Sequence, residues 1–210
     1  MMQTVFSSRI FIAFTLVVLA DATLADGPIE EIVVTADFRE RPASELPTSV
    51  SVLEAEFIED AAVQHFEELV NLVPNLNWSG DGHRARYFQI RGVGELEQYE
   101  GAPNPSVGFL VDDIDFSGIG TIATLFDVGS IEVLRGPQGS RYGANALGGL
   151  IYMRGREPSA ERDGLRRLTR GDDDTRALGG AFGGAVDESE TLLFRRRAQT
   201  HESSGFRAKA

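Results

Sequence analysis

Apolar residues in this 210-residue chain change their spacing several times, and each change marks a different kind of segment. A compact apolar run, Ile10 to Leu19, follows the basic residue Arg9, and small residues stand at Thr23 and Ala25 around Leu24. Residues 1–25 therefore read as a secretory signal peptide. The run is about half the roughly 20 residues that a spanning helix needs, which argues against an anchor. Next, Glu31-Ile32-Val33-Val34-Thr35-Ala36 sets three β-branched residues in succession between polar and proline-bearing flanks. β-branched side chains favour extended backbone. Residues 26–42 thus predict a strand in a loose N-terminal segment. It is either offered to the sheet edge of another protein or serves as the domain's own first strand.

From Pro47 the pattern becomes that of a folded domain. Thr48–Leu53 alternates as a strand. Glu54–Ala62 places Phe57, Ile58 and Ala61 at helical spacing. His65–Leu72 does the same with Phe66, Leu69 and Val70, and Pro74 closes it. Strands are predicted at Leu76–Ser79, Arg86–Arg91, Val107–Val111, Ile131–Leu134 and Leu150–Met153, with turns at Gly80-Asp81-Gly82 and Asp112-Asp113. Strands interleaved with short helices give an α+β domain with a mixed β-sheet, covering residues 43–158. Residues 159–210 alternate weakly. Between Thr191 and Thr200, Leu192, Phe194 and Ala198 share a face with Arg196, and an arginine facing lipid costs about 2–4 kcal/mol at the midplane. This tail is expected to be incomplete or disordered.

Charge separates the two parts. The net charge is -12, and Asp26 to Leu150 holds 21 acidic against 7 basic residues. Such a body argues against nucleic acid, whose phosphates require lysine and arginine. There is no cysteine, and the three histidines, His65, His83 and His201, are scattered in sequence. Neither a Gly-x-Ser-x-Gly elbow nor a His-Glu-x-x-His pattern occurs. The glycine-rich stretch Gly136–Gly149 lacks the lysine of a phosphate loop, and Gly92-Val93-Gly94 is followed by Glu97 where a dinucleotide fingerprint has glycine. Those glycines instead suit positive φ and close backbone packing. Asp112, Asp113 and Asp115 lack the spacing of a calcium loop. No catalytic residue, cofactor or resident metal is expected.

Five stretches in order resemble the plug of TonB-dependent outer-membrane receptors. Glu31–Ala36 is similar to the TonB box, and Leu69-Val70-Asn71-Leu72-Val73-Pro74-Asn75-Leu76 to the helix ending in a Val-Pro step. Gln89-Ile90-Arg91-Gly92-Val93-Gly94 resembles the Ile-Arg-Gly strand end. Ser106–Asp113 resembles the strand leading to an Asp turn. Ile131-Glu132-Val133-Leu134-Arg135-Gly136-Pro137-Gln138-Gly139, running on to Gly148-Gly149-Leu150-Ile151, is the most specific stretch. Departures are Glu31 where the box often has threonine, Asp113 where glycine usually follows, and Tyr152-Met153-Arg154 in place of a more apolar strand.

The resemblance implies a plug seated in a barrel in the outer membrane of Gram-negative bacteria. It would serve energised uptake of scarce solutes such as ferric siderophores. It implies capture of the box (Glu31, Ile32, Val33, Val34, Thr35, Ala36) by the C-terminal domain of the TonB transducer. It also implies polar plug–barrel contacts near Arg91, Glu132 and Arg135, the two arginines facing barrel carboxylates. A 22-stranded barrel needs roughly 220 residues in its strands alone, and 52 residues follow Pro158. Residues 159–210 therefore resemble only the first barrel strands of a truncated or partial sequence, inactive as a transporter and possible to find free in the periplasm. The alternative is a secreted or periplasmic α+β ligand-binding module derived from a plug.

Overall fold

The computed structural model describes residues 32–35, 41–80, 84–97, 105–119 and 124–204. The signal-peptide reading, and Glu31 and Ala36 of the box, lie outside them. The described residues from Val33 onward form one compact unit.

Its centre is a five-stranded sheet in the order β3 (Ser49–Glu54), β8 (Val128–Arg135), β9 (Gly149–Gly155), β6 (Val107–Val111), β7 (Ile114–Asp115). The pair β6–β9 is parallel and the others are antiparallel, so the sheet is mixed. Two short helices, α1 (Ala55–Asp60) and α2 (Phe66–Leu69), follow β3, and a 3-10 turn over Val70–Leu72 extends α2. The hairpin of β4 (Leu76–Ser79) and β5 (Tyr87–Ile90) comes next. A third helix, α3 (Gly139–Tyr142), lies between β8 and β9. This is the α+β arrangement that the alternating periods predict.

Period-two alternation gives the sheet two apolar faces. Leu53, Phe109, Ile131, Val133, Ile151 and Met153 point to one face, where Ile58, Phe66, Leu69 and Phe88 complete the main core. Phe66, Phe88 and Phe109 pack within it at centroid distances of 5.2–5.4 Å, in the range of favourable aromatic pairs. Leu134, Leu150 and Tyr152 point to the other face, into a smaller cluster. A two-residue turn joins β6 to β7. Asp112 and Asp113 have φ of 47° and 67°, a hairpin geometry that usually selects Asn-Gly or Asp-Gly and that aspartate tolerates. The glycine-rich stretch does supply positive φ, at Gly136 (106°) and Gly143 (80°).

The tail corrects the expectation of disorder. β10 (Asp163–Arg170), β11 (Arg176–Ala185) and β12 (Leu193–Glu202) form a three-stranded antiparallel meander. Its outer face is mixed, with Leu168, Leu178 and Phe182 beside Arg166, Arg170 and Arg176, and its inner face carries Arg195 and Arg197 beside Leu165, Ala177 and Ala181. Leu168 is 84% exposed, and Leu178 and Phe182 are also exposed. Arg196 shares the outer side, as the spacing indicates, but Arg195 and Arg197 turn inward. No closed barrel is present among the described residues.

Of the contacts that bind the meander to the rest of the unit, two meet at Phe126. Gly179 on β11 lies flat against Phe126, where a Cβ would meet the ring at 2.6 Å. Arg167 places its guanidinium 5.6 Å from the centroid of the same ring. A Gly179→Val substitution should therefore overpack this contact and cost about 1–3 kcal/mol. A lowered urea midpoint at unchanged slope would register it, and an unchanged midpoint would show that the meander is not seated on Phe126.

Candidate functional site

The β-branched segment does not stand free of the domain. β1 (Val33–Val34) pairs antiparallel with β2 (Arg41–Pro42), Val33 opposite Pro42 and Val34 opposite Arg41. Alternation divides the roles of its residues. Val33 is half exposed, whereas Val34 is fully buried in the smaller cluster with Leu134, Ala146, Leu150 and Tyr152. Burying a valine side chain contributes about 1.5–3 kcal/mol. The next residue is held by polar contacts. Thr35 donates its backbone N–H (2.9 Å) and its hydroxyl (2.6 Å) to Oε1 of Glu132.

Glu132 is 1% exposed. It lies on β8 between Val52 of β3 and Tyr152 of β9, on the face opposite Ile131 and Val133. The sequence reading placed Glu132 with residues facing a barrel. Here its carboxylate lies within the plug and accepts from Thr35, next to β1. Tyr152, also under β1, donates to Asp113 at 2.6 Å. Burial first, and then that bond and its charge, raise the tyrosine's pKa, so the phenol stays protonated.

Arg91 and Arg135 occupy neighbouring strand ends. Arg135 donates to Ser51 (2.7 Å) and to the Pro74 carbonyl (3.2 Å) and is largely buried. Burial, and then the charge of Arg91, lower its pKa from the ordinary arginine value. Arg91 is exposed, with φ of 54°, and no side-chain partner for it is found among the described residues. Two like charges thus meet at one edge of the plug.

Asp112, Asp113 and Asp115 do not converge. Asp112 pairs with Arg197 at 2.8 Å and accepts from Gly155 N–H. Asp113 serves Tyr152, and Asp115 accepts from Ser117 and Asn145. No group of three or more histidine, cysteine or acidic side chains suited to a metal is found among the described residues.

Period reading could not find one polar cluster. Arg195 on β12 donates from Nε and Nη2 to the two oxygens of Asp127, at 2.7 and 2.6 Å, and from Nη1 to Asp163 of β10 at 2.8 Å. The side chains of Arg195 and Asp127 are 6% and 0% exposed. Asp127, and then Asp163, raise the arginine's pKa further. Arg195, Arg197 and Asp127 line a cleft of about 540 Å³ between plug and meander.

Comparison with known proteins fits this geometry. The profile described as "TonB-dependent Receptor Plug Domain" matches residues 42–150, about half of the chain. The pesticin receptor of Yersinia pestis is 33% identical over 144 residues, 68% of this chain and 21% of that receptor. The solved ferric yersiniabactin uptake receptor of Yersinia pestis superposes with a TM-score of 0.59 at 31% identity, covering 70% of this chain and 23% of that one. The ferripyoverdine receptor of Pseudomonas aeruginosa shares the fold, with a TM-score of 0.68 at 19% identity over 82% of this chain and 22% of its own. The chain thus spans about a fifth of the length of the relatives it matches. Such receptors are outer-membrane transporters rather than enzymes. From the profile match and the mixed sheet together, the chain belongs to the family of TonB-dependent receptor plug domains.

Proposed function

We propose that this chain is the plug and first barrel strands of an outer-membrane receptor for energised uptake of a scarce solute such as a ferric siderophore. Residues 31–36 would be the strand that the periplasmic transducer captures. The observation supporting this reading is how β1 is held. One buried side chain and two hydrogen bonds to a carboxylate seat it, together worth a few kcal/mol. Main-chain hydrogen bonds to a new sheet edge can offset a hold of that size. Val33, Val34 and Ile32 have the extended preference that such capture needs.

Arg91 and Arg135 would face carboxylates of the barrel wall. Their mutual repulsion, and the open side chain of Arg91, favour an acidic partner there. The exposed Leu168, Leu178 and Phe182 on the outer face of β10–β12 would meet lipid. The likeness to a ferric yersiniabactin uptake receptor supports the solute class.

The test is binding of the full chain to the C-terminal domain of TonB, beside Val33→Pro. Proline removes a ladder donor, and Val33 is the exposed residue of the pair, so the buried packing of Val34 is kept. Wild-type binding that falls at least about tenfold in the variant is the expected result. Equal binding by both would sink the box assignment.

A further inference from the structure

We propose that His65 and His201 form a two-histidine site for a first-row divalent ion of the zinc class, set in the seam between the plug and β12. The two residues come from opposite sides of that seam. His65 immediately precedes α2 and is pinned by a bridge to Thr124 and by the bond from Leu125 N–H to the Gln64 carbonyl. His201 lies near the end of β12, on its plug-facing side. Although 136 residues apart, the rings sit with centroids 5.2 Å apart. Two imidazoles sharing a tetrahedral ion at metal–nitrogen distances of about 2 Å place their centroids about 5 Å apart.

The ring nitrogens are the second observation. Nδ1 and Nε2 of His65 and Nδ1 of His201 are buried and have no hydrogen-bond partner among the described residues. Buried polar atoms are ordinarily paired, and each exception calls for an explanation. The other buried side-chain atoms in this state are the amide oxygens of Gln64 and Gln199. Gln64 adjoins His65 in the chain, and the two glutamines line one small cavity of about 150 Å³ beside the same seam. A stacked pair of histidines kept only for packing would leave three nitrogens unpaired at a cost. Shared coordination satisfies one nitrogen of each ring at once.

The ligand chemistry also fits. Burial, then the charge of Arg84, then His201, lower the pKa of His65 to about 4. An imidazole in its neutral form offers a lone pair to a metal. Imidazole nitrogen prefers zinc, nickel or copper over the oxygen-seeking magnesium and calcium. Two protein ligands leave the remaining positions to water. Since one ligand belongs to the plug and the other to β12, the ion would clip the two together.

The experiment is a Zn²⁺ titration of the full chain, followed by calorimetry and by the ¹⁵N shifts of the histidine ring nitrogens. One ion per chain is expected, with the rings of both His65 and His201 shifting together and Mg²⁺ at the same concentration without effect. His65→Gln and His201→Gln should each weaken binding at least about tenfold. The ring shifts come from the unaltered protein and do not depend on either variant folding. Zn²⁺ that leaves one of the two rings unmoved, or that binds His65→Gln as tightly as wild type, overturns the proposal and places the ion on the acidic surface.

Discussion

Arg195→Met is expected to lower the unfolding free energy by about 3–5 kcal/mol, the range for breaking a buried ion pair from one side. The reason is the Asp127 carboxylate, which is 0% exposed and would lose both arginine bonds at once. Methionine fills most of the volume, so a cavity contributes little. Against a typical domain stability of about 5–15 kcal/mol this loss is large, and chemical denaturation of the full chain would show it directly. Two companion variants locate the cause. Asp163→Asn should cost no more than about 1 kcal/mol, because Asp163 is 42% exposed and its attraction is screened. Asp127→Asn combined with Arg195→Met should recover part of the loss, since no unpaired charge is left buried. A loss below about 1 kcal/mol for Arg195→Met alone would mean that the clamp does not hold the meander to the plug.

Glu132→Gln is expected to loosen the box without altering it. The variant keeps the shape and one acceptor oxygen but removes the charge. Hydrogen bonds to charged groups contribute about 1.5–3 kcal/mol, against about 0.5–1.5 for neutral ones. With two bonds from Thr35 at stake, the undocked fraction should rise by at least roughly tenfold, each 1.4 kcal/mol being a factor of ten. Hydrogen exchange at the Val34 and Thr35 amides would report this. The amides of Ile131 and Val133, on the same strand, show whether β8 itself has been disturbed. Faster exchange confined to β1, with tighter binding to the transducer domain, is the expected pattern. Unchanged exchange at Val34 and Thr35 would rule out Glu132 as the latch.

Local elements were legible where one period ran long enough. Phe66, Leu69 and Val70 lie three and four apart, and all three are buried, even though the helix tightens into a 3-10 turn after Leu69. The strands Val107–Val111 and Ile131–Leu134 were legible as short apolar runs, and Phe109, Ile131 and Val133 within them are buried. β7 was missed because it has two residues and follows a turn built from two aspartates instead of a glycine. The tail was misread for a different reason. Its inward positions include Arg195, whose partner Asp127 is 68 positions away, and no period connects them. The seat of the box was hidden likewise, since Thr35 and Glu132 are separated by 97 positions. Resemblance to a family named the segments, but only the packing shows which carboxylate serves which residue.

The register of the first strand pair has a mechanical consequence. Val33 stands opposite Pro42, so the chain enters β1 at the same end from which it leaves β2. Tension on the segment ahead of Val33 therefore opens the pair as a zipper, one rung after another, rather than shearing every rung together. β3 repeats the geometry against β8, its leading residue Ser49 facing Arg135, where β8 ends. A tug transmitted along the backbone thus meets single rungs in sequence, and the force it needs stays near that of one rung however many lie behind it.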